Sequence, residues 1–177
     1  MNFKSISTII VIVINFTIFT IIPHNINLVF SEVSESTLSD YEFHGYLEQM
    51  KGHLDASIIN IQNNNSVLAV AHALHPIVEI VDIINNRLIQ TNETLTKEFS
   101  NNLNQYVQTV GSDNLNKIII EKTELEKLLN DALDQSIDVE KRTNRDHILN
   151  VTAELISTAS EEFNEAKIGR ASCRERV

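Results

Sequence analysis

The chain has 177 residues, of which 21% are charged, and a formal net charge of −10. Acidic residues outnumber basic ones by 24 to 14, so the sequence lacks the clustered positive charge that binding to a nucleic-acid backbone requires. It also contains no phosphate-binding loop, dinucleotide fingerprint, His-Glu-x-x-His motif or Gly-x-Ser-x-Gly nucleophile elbow. We therefore expect a protein that is not an enzyme and does not bind nucleic acid.

Residues 1–31 have the layout of a secretory signal peptide. Lys4 precedes an apolar run from Ile6 to Ile22, and Pro23 follows this run. Ser31 provides a small side chain at which a signal peptidase could cut, although the run also approaches the roughly 20 apolar residues of a membrane anchor. In either case we expect the rest of the chain to be extracytoplasmic, either secreted or held at the membrane by this N-terminal segment alone.

Residues 167–177 resemble a translated sequencing adapter, and we expect this tail to be non-native. It holds four of the 14 basic residues and the only cysteine, Cys173. The predicted domain is therefore residues 32–166, truncated at its C-terminus. This segment has 9 basic and 23 acidic residues, a formal charge of −14, and no cysteine for a disulfide or a thiolate metal site.

Helical periodicity predicts five helices in the domain and no strand. Their predicted bounds, in chain order, are Ser39–Gln62, Ser66–Gln90, Asn92–Val110, Asp113 to about Arg142, and Thr143 onward. Ser39 and Glu42 have the spacing of a capping box, and Thr143 with Asp146 resembles one. Gly111 is placed to end the third helix in a left-handed turn.

Each predicted helix carries an apolar stripe. The stripes of the first, second and fifth helices are Phe43, Leu47, Met50, Leu54, Ile58 and Ile61; Val67, Val70, Leu74, Ile77, Val81, Ile84 and Leu88; and Ile148, Val151, Leu155, Ala159 and Phe163. Helices of this length joined by short turns predict an all-α fold, an up-and-down antiparallel bundle of four to five helices after the N-terminal signal helix. If a further helix is missing, part of the fifth helix's apolar face would be bare.

The second predicted helix contains the best candidate for a binding site. His72, His75 and Glu79 lie within about 60° of one another on a helix, and such a face can bind one transition-metal ion, for example iron, zinc or copper. His53 on the first helix is expected to face this group across the hairpin. Pro76 removes a backbone hydrogen bond and should kink or restart the helix near His75. The alternative is a polar face in contact with solvent.

This stretch, residues 52–79, resembles the extracytoplasmic helical modules that accompany iron-uptake proteins, such as those near imelysin-like proteins and iron permeases. It reads Gly52-His53-Leu54 through Ala71-His72-Ala73-Leu74-His75-Pro76-Ile77-Val78-Glu79. The resemblance implies a helical bundle that handles iron or another transition metal outside the membrane, with His72, His75 and Glu79 as ligands.

Two further expectations concern modification and partners. Asn-x-Ser/Thr triplets begin at Asn64, Asn92 and Asn150 and are possible glycosylation acceptors in an exported protein. The heptad-like stripes leave open an alternative function, in which the bundle is a structural or protein-interaction module at the cell surface. Such a module would bind a protein partner, its own missing part or another copy, with no metal cation.

Overall fold

The computed structural model describes the backbone of residues 38–112 and 114–174, and the side chains of those up to residue 164. Within these ranges the chain contains helices and no strand, so the predicted all-α class is confirmed. The elements in chain order are α1 (Asp40–Gln62), α2 (Ser66–His75), a π-helical turn (Pro76–Ile80), α3 (Val81–Val110), α4 (Leu115–Ser136), α5 (Val139–Arg142) and α6 (Arg145–Arg174). The predicted signal segment 1–31 and the side chains of the predicted tail 167–177 lie outside the described residues.

The first helix begins as predicted. The Ser39 hydroxyl accepts a hydrogen bond from the Glu42 N–H at 3.4 Å, and the Glu42 carboxylate accepts one from the Ser39 N–H at 2.8 Å. These two bonds form the capping box. The predicted end of α3 at Val110 is confirmed, but the left-handed turn predicted there is wrong, because Gly111 adopts right-handed torsion angles, φ −70° and ψ −10°.

The start of the last helix also differs from the prediction. Asn144, not Thr143, caps α6, since its side chain accepts a hydrogen bond from the Asp146 N–H at 2.8 Å. The Thr143 hydroxyl donates instead to the Val139 carbonyl at 2.7 Å. The Thr143 hydroxyl therefore bonds to the end of α5 and does not cap α6.

The predicted break between the second and third helices lies inside α3. Asn92 has non-helical torsion angles, φ −164° and ψ 102°, and its side chain accepts from the Leu95 N–H at 3.1 Å. It therefore caps the second half of α3.

The helical stretch Ser66–Val110 is long and apolar enough to cross a membrane. Core helices of soluble proteins can have the same length and composition.

Contacts along α1 and α4 define the relative direction of these two helices. Asp55 pairs with Lys122 at 2.7 Å. Nearer the start of α1, Lys51 donates to Asn130, which is nearer the end of α4, at 2.8 Å. The two helices therefore run antiparallel.

The core differs from the predicted stripes in the second helix. The first stripe is confirmed: Phe43, Leu47, Met50 and Leu54 are buried, and Ile58 and Ile61 pack against them. In α2, however, Val67 and Leu74 are exposed, whereas Ala69 and Ala73 are fully buried. Helix α2 thus turns its smallest side chains toward the core, which allows its backbone to approach its neighbour closely.

Part of the predicted apolar stripe of the last helix is bare among the described residues, the arrangement expected if a further helix is missing. Val151 is buried, but Ile148, Ala159 and Phe163 are exposed. The contacts between α6 and α1 instead include polar side chains, for example the 3.0 Å hydrogen bond from Gln49 to Thr158. Val151 and the half-buried Leu155 therefore face the rest of the domain, whereas the other apolar side chains in the described part of α6 are exposed.

Replacement of Asn92 tests the cap inside α3. We expect Asn92→Ala to lower the free energy of unfolding by about 1 kcal/mol, because the Leu95 N–H loses its acceptor. Asn92→Asp keeps an acceptor oxygen and should be nearly neutral. Urea denaturation measures both changes. Asn104→Ala removes an exposed asparagine within the same helix and serves as the control; an equal loss in this variant would contradict a capping role for Asn92.

Candidate metal site

The α1–α2 hairpin brings the candidate histidines together. Its turn contains Asn64 with a φ of 56°, a left-handed conformation that asparagine tolerates better than most residues. The Asn65 side chain then accepts from the Leu68 N–H at 3.3 Å and caps α2. Because the chain reverses here, His53 near the end of α1 lies opposite His72 near the middle of α2.

Three imidazole rings form a cluster, the His53–His72–His75 triad. Ring centroids are 5.9 Å apart for His53 and His72, and 5.0 Å apart for His53 and His75. The distance between His72 and His75 is 5.7 Å. One potential ligand nitrogen from each ring lies within 4.8 Å of the others. The structure therefore brings together three of the four predicted site residues.

These separations are close to those of a bound metal site. A tetrahedral zinc ion with Zn–N bonds near 2.05 Å places its ligand nitrogens about 3.3 Å apart and the ring centroids about 5 Å apart. The observed centroid distances of 5.0 to 5.9 Å lie at or slightly above that value. The ligand nitrogens, which lie within 4.8 Å of one another, would have to approach to about 3.3 Å, so metal binding requires side-chain rotations at the triad.

The triad favours neutral imidazoles. His53 is only 7% exposed. Burial lowers its pKa below the ordinary value; Glu162 opposes the shift, and positive charge on His75 or His72 would add to it. Burial and His75 likewise lower the pKa of His72. A neutral imidazole is the form that binds a metal, so proton competition at neutral pH is weak.

Two nitrogens of the triad are unsatisfied. The Nδ1 atoms of His72 and His75 are buried and have no hydrogen-bond partner among the described residues. Buried polar atoms without a partner are uncommon in folded proteins and cost free energy. A cation bound through these atoms would remove that cost.

Glu79 does not join the triad. Its side chain is exposed and is not among the clustered ligand atoms. The reason is the π-helical turn that begins at Pro76, where the Val81 N–H donates to the Pro76 carbonyl. A π turn contains more residues than an α turn, so positions after Pro76 fall out of phase with His72 and His75. The predicted common face of the helix is therefore lost beyond Pro76.

A different carboxylate lies near the triad. Glu162 on α6 places Oε1 3.6 Å from Nε2 of His53. Sequence analysis missed this residue, because its position depends on how α6 packs on α1, and helix order in space has no signature in the apolar stripes. The contact also shows that residues of three helices surround the triad.

A second pair of histidines lies elsewhere on α1 and α6. Nδ1 of His44 is 3.0 Å from Nε2 of His147, a hydrogen bond in which one ring donates and the other accepts. The Glu48 carboxylate is 3.8 Å from the other nitrogen of His44. His147 also lines an open cavity of about 550 Å³ together with Asp40 and other polar residues. Two rings without a third ligand are better explained as a structural pair than as a metal site.

Comparison with known proteins does not assign a function to this site. The chain matches no protein-family model, no curated protein and no solved structure. The chemistry of the triad is therefore argued from its own residues.

The His44–His147 pair predicts a dependence of stability on pH. Burial is the first cause lowering the pKa of both rings; Glu48 opposes it at His44 and Asp40 at His147. Because the folded pKa is below the unfolded value, only the unfolded state gains protons as the pH first falls below about 6.5, so stability decreases there. We expect the melting temperature to fall between pH 7.5 and 5.

A double variant provides the control for this prediction. His44→Gln with His147→Gln removes both titrating groups and should give a shallower decrease in melting temperature over the same pH range. An unchanged slope would mean that the pair does not contribute to the pH dependence.

Proposed function

We propose that this protein is an exported, non-enzymatic helical bundle that binds one transition-metal cation through His53, His72 and His75, in metal uptake or storage. The observation that carries this proposal is the convergence of three imidazoles from two helices, with ligand nitrogens within 4.8 Å of one another. Three imidazoles whose nitrogens lie within 4.8 Å of one another indicate a binding site more strongly than a residue spacing along one helix does.

The ligand type narrows the class of cation. Imidazole nitrogen suits zinc, copper, iron and nickel, whereas calcium and magnesium prefer oxygen ligands. The lowered pKa values of His53 and His72 favour ligation at neutral pH. The resemblance of residues 52–79 to modules of iron-uptake systems makes ferrous iron one of the ions to test.

Export is part of the same proposal. The apolar N-terminal segment supports secretion or anchoring, and a chain with a domain charge of −14 would attract cations over its whole surface. A histidine triad free of cysteine also suits an oxidising environment, since imidazole is not lost to disulfide formation as a thiolate would be.

Metal titration tests the site directly. We expect one equivalent of zinc, ferrous or cupric ion to bind, and His72→Ala or His75→Ala to weaken the binding by at least about tenfold. At a free metal concentration one hundred times the dissociation constant, binding should stabilise the fold by about 2.7 kcal/mol, which a thermal shift measures. Gln90→Ala, an exposed position on α3, is the matched control. Equal weak binding by the parent chain and both histidine variants would overturn the proposal.

A second candidate function is a protein-interaction module, and the outer face of α6 favours it. Leu149, Ile156 and Phe163 are exposed and spaced seven residues apart, as in one edge of a coiled-coil seam. Ile156 is 64% exposed and Phe163 is 66% exposed. Such a stripe could bind a partner helix or another copy of the chain.

Self-association is the outcome that this second candidate predicts. We expect sedimentation to detect dimers at micromolar concentration, and Ile156→Ser to reduce them because it removes the centre of the stripe. Ser157→Ala changes an exposed neighbour outside the stripe and should leave the association unchanged. A monomer at every concentration would contradict association between copies.

A further inference from the structure

Helix α6 is held to the bundle mainly by polar contacts. Among its described residues, only Val151 and His147 are buried, and Val151 does not belong to the main hydrophobic cluster. Its other contacts with α1 include the Gln49–Thr158 hydrogen bond and the approach of Glu162 to His53. Beyond Thr158, residues 159–164 are all exposed. Apolar burial therefore contributes little to fixing residues 159–164.

Three histidine ligands would leave one position of a four-coordinate metal ion unfilled. Zinc sites in proteins are usually four-coordinate, with histidine nitrogens and carboxylate oxygens at about 2.0 to 2.2 Å. In a tetrahedral site of this size, a carboxylate oxygen lies about 3.4 Å from a neighbouring ligand nitrogen. The Glu162 Oε1 atom is 3.6 Å from Nε2 of His53, close to that separation. It does not belong to the group of ligand atoms that lie within 4.8 Å of one another, so the Glu162 side chain would have to rotate toward His72 and His75 to join them.

The approach of Glu162 to His53 is neither a hydrogen bond nor, with a neutral His53, an ion pair. A separation of 3.6 Å is too long for a hydrogen bond, and a neutral His53 would not form an ion pair. The Glu162 side chain is 48% exposed, so it can rotate without disturbing the core. Glu79, the alternative carboxylate, is an exposed residue within the π turn, and it forms no ion pair with the triad among the described residues, although its charge also acts to raise the pKa of His53.

We propose that Glu162 is the fourth ligand of the triad, so that a bound transition-metal ion holds the C-terminal half of α6 against the α1–α2 hairpin. This inference rests on the proposed function, because it adds a ligand to the same site. It also gives the site a structural role in addition to metal storage. The ion would cross-link two parts of the chain that share little apolar surface, and ion concentration would control how firmly the segment around Glu162 is held against α1.

The experiment compares two carboxylate variants of the full chain, with Zn²⁺ alone as the probe. Glu162→Gln keeps the size of the side chain but removes the anionic ligand, and Glu79→Gln makes the same change at the position outside the triad. For each chain, calorimetry measures the affinity for Zn²⁺, and hydrogen exchange measures the protection of the backbone amides of residues 156–164. Circular dichroism confirms that both variants remain helical.

We expect Zn²⁺ to slow amide exchange at residues 156–164 in the parent chain and in Glu79→Gln, and to leave it unchanged in Glu162→Gln. The affinity of Glu162→Gln should be weaker by at least about tenfold, and that of Glu79→Gln unchanged. Zn²⁺ binding that depends on His72 and His75 but is equal in both carboxylate variants would overturn the role of Glu162 while leaving the triad as a metal site. Loss of affinity in Glu79→Gln alone would assign the fourth ligand to Glu79. Failure of the parent chain to bind any Zn²⁺ would remove both proposals.

Discussion

The close packing of α2 on α1 is the constraint on which the core and the candidate site both depend. Ala69 and Ala73 are fully buried in the hydrophobic core, and a larger side chain at either position would have to displace neighbouring atoms. The close packing of α1 and α2 also brings His53 of α1 next to His72 and His75 of α2. The packing that buries the small side chains of α2 therefore also positions the three imidazoles, so the stability of the hairpin and the geometry of the candidate site are linked.

The triad lies in a region whose charge differs from that of the rest of the chain. Between Asp55 and Glu79 the sequence contains no aspartate, glutamate, lysine or arginine, although the domain as a whole is strongly acidic. Under the proposed function, long-range attraction would concentrate cations around the protein, and the neutral imidazoles would select among them. Calcium and magnesium gain little from uncharged nitrogen ligands, and a transition metal gains much.

The sequence predicted local features better than the packing of distant ones. The capping box at Ser39 and the juxtaposition of His53 with the second helix depend on helical spacing and one short turn, both of which can be read from neighbouring residues. Glu79 does not share a helix face with His72 and His75, because the π turn that begins at Pro76 changes the angle between successive residues. The spacing of residues in the sequence does not reveal such a change. The approach of Glu162 depends on contact between α1 and α6, more than a hundred residues apart in the chain, so local pattern could not reveal it.

The fixed helical spacing of the hairpin also determines which changes in chain length the site can tolerate during evolution. One residue inserted between His53 and Gln62 would rotate His53 by about 100° relative to the turn, away from α2. An insertion among Asn63, Asn64 and Asn65 would instead lengthen an exposed connection and leave both helices in register. Related chains that keep the triad should therefore vary in the length of this turn and not in the segments on either side of it.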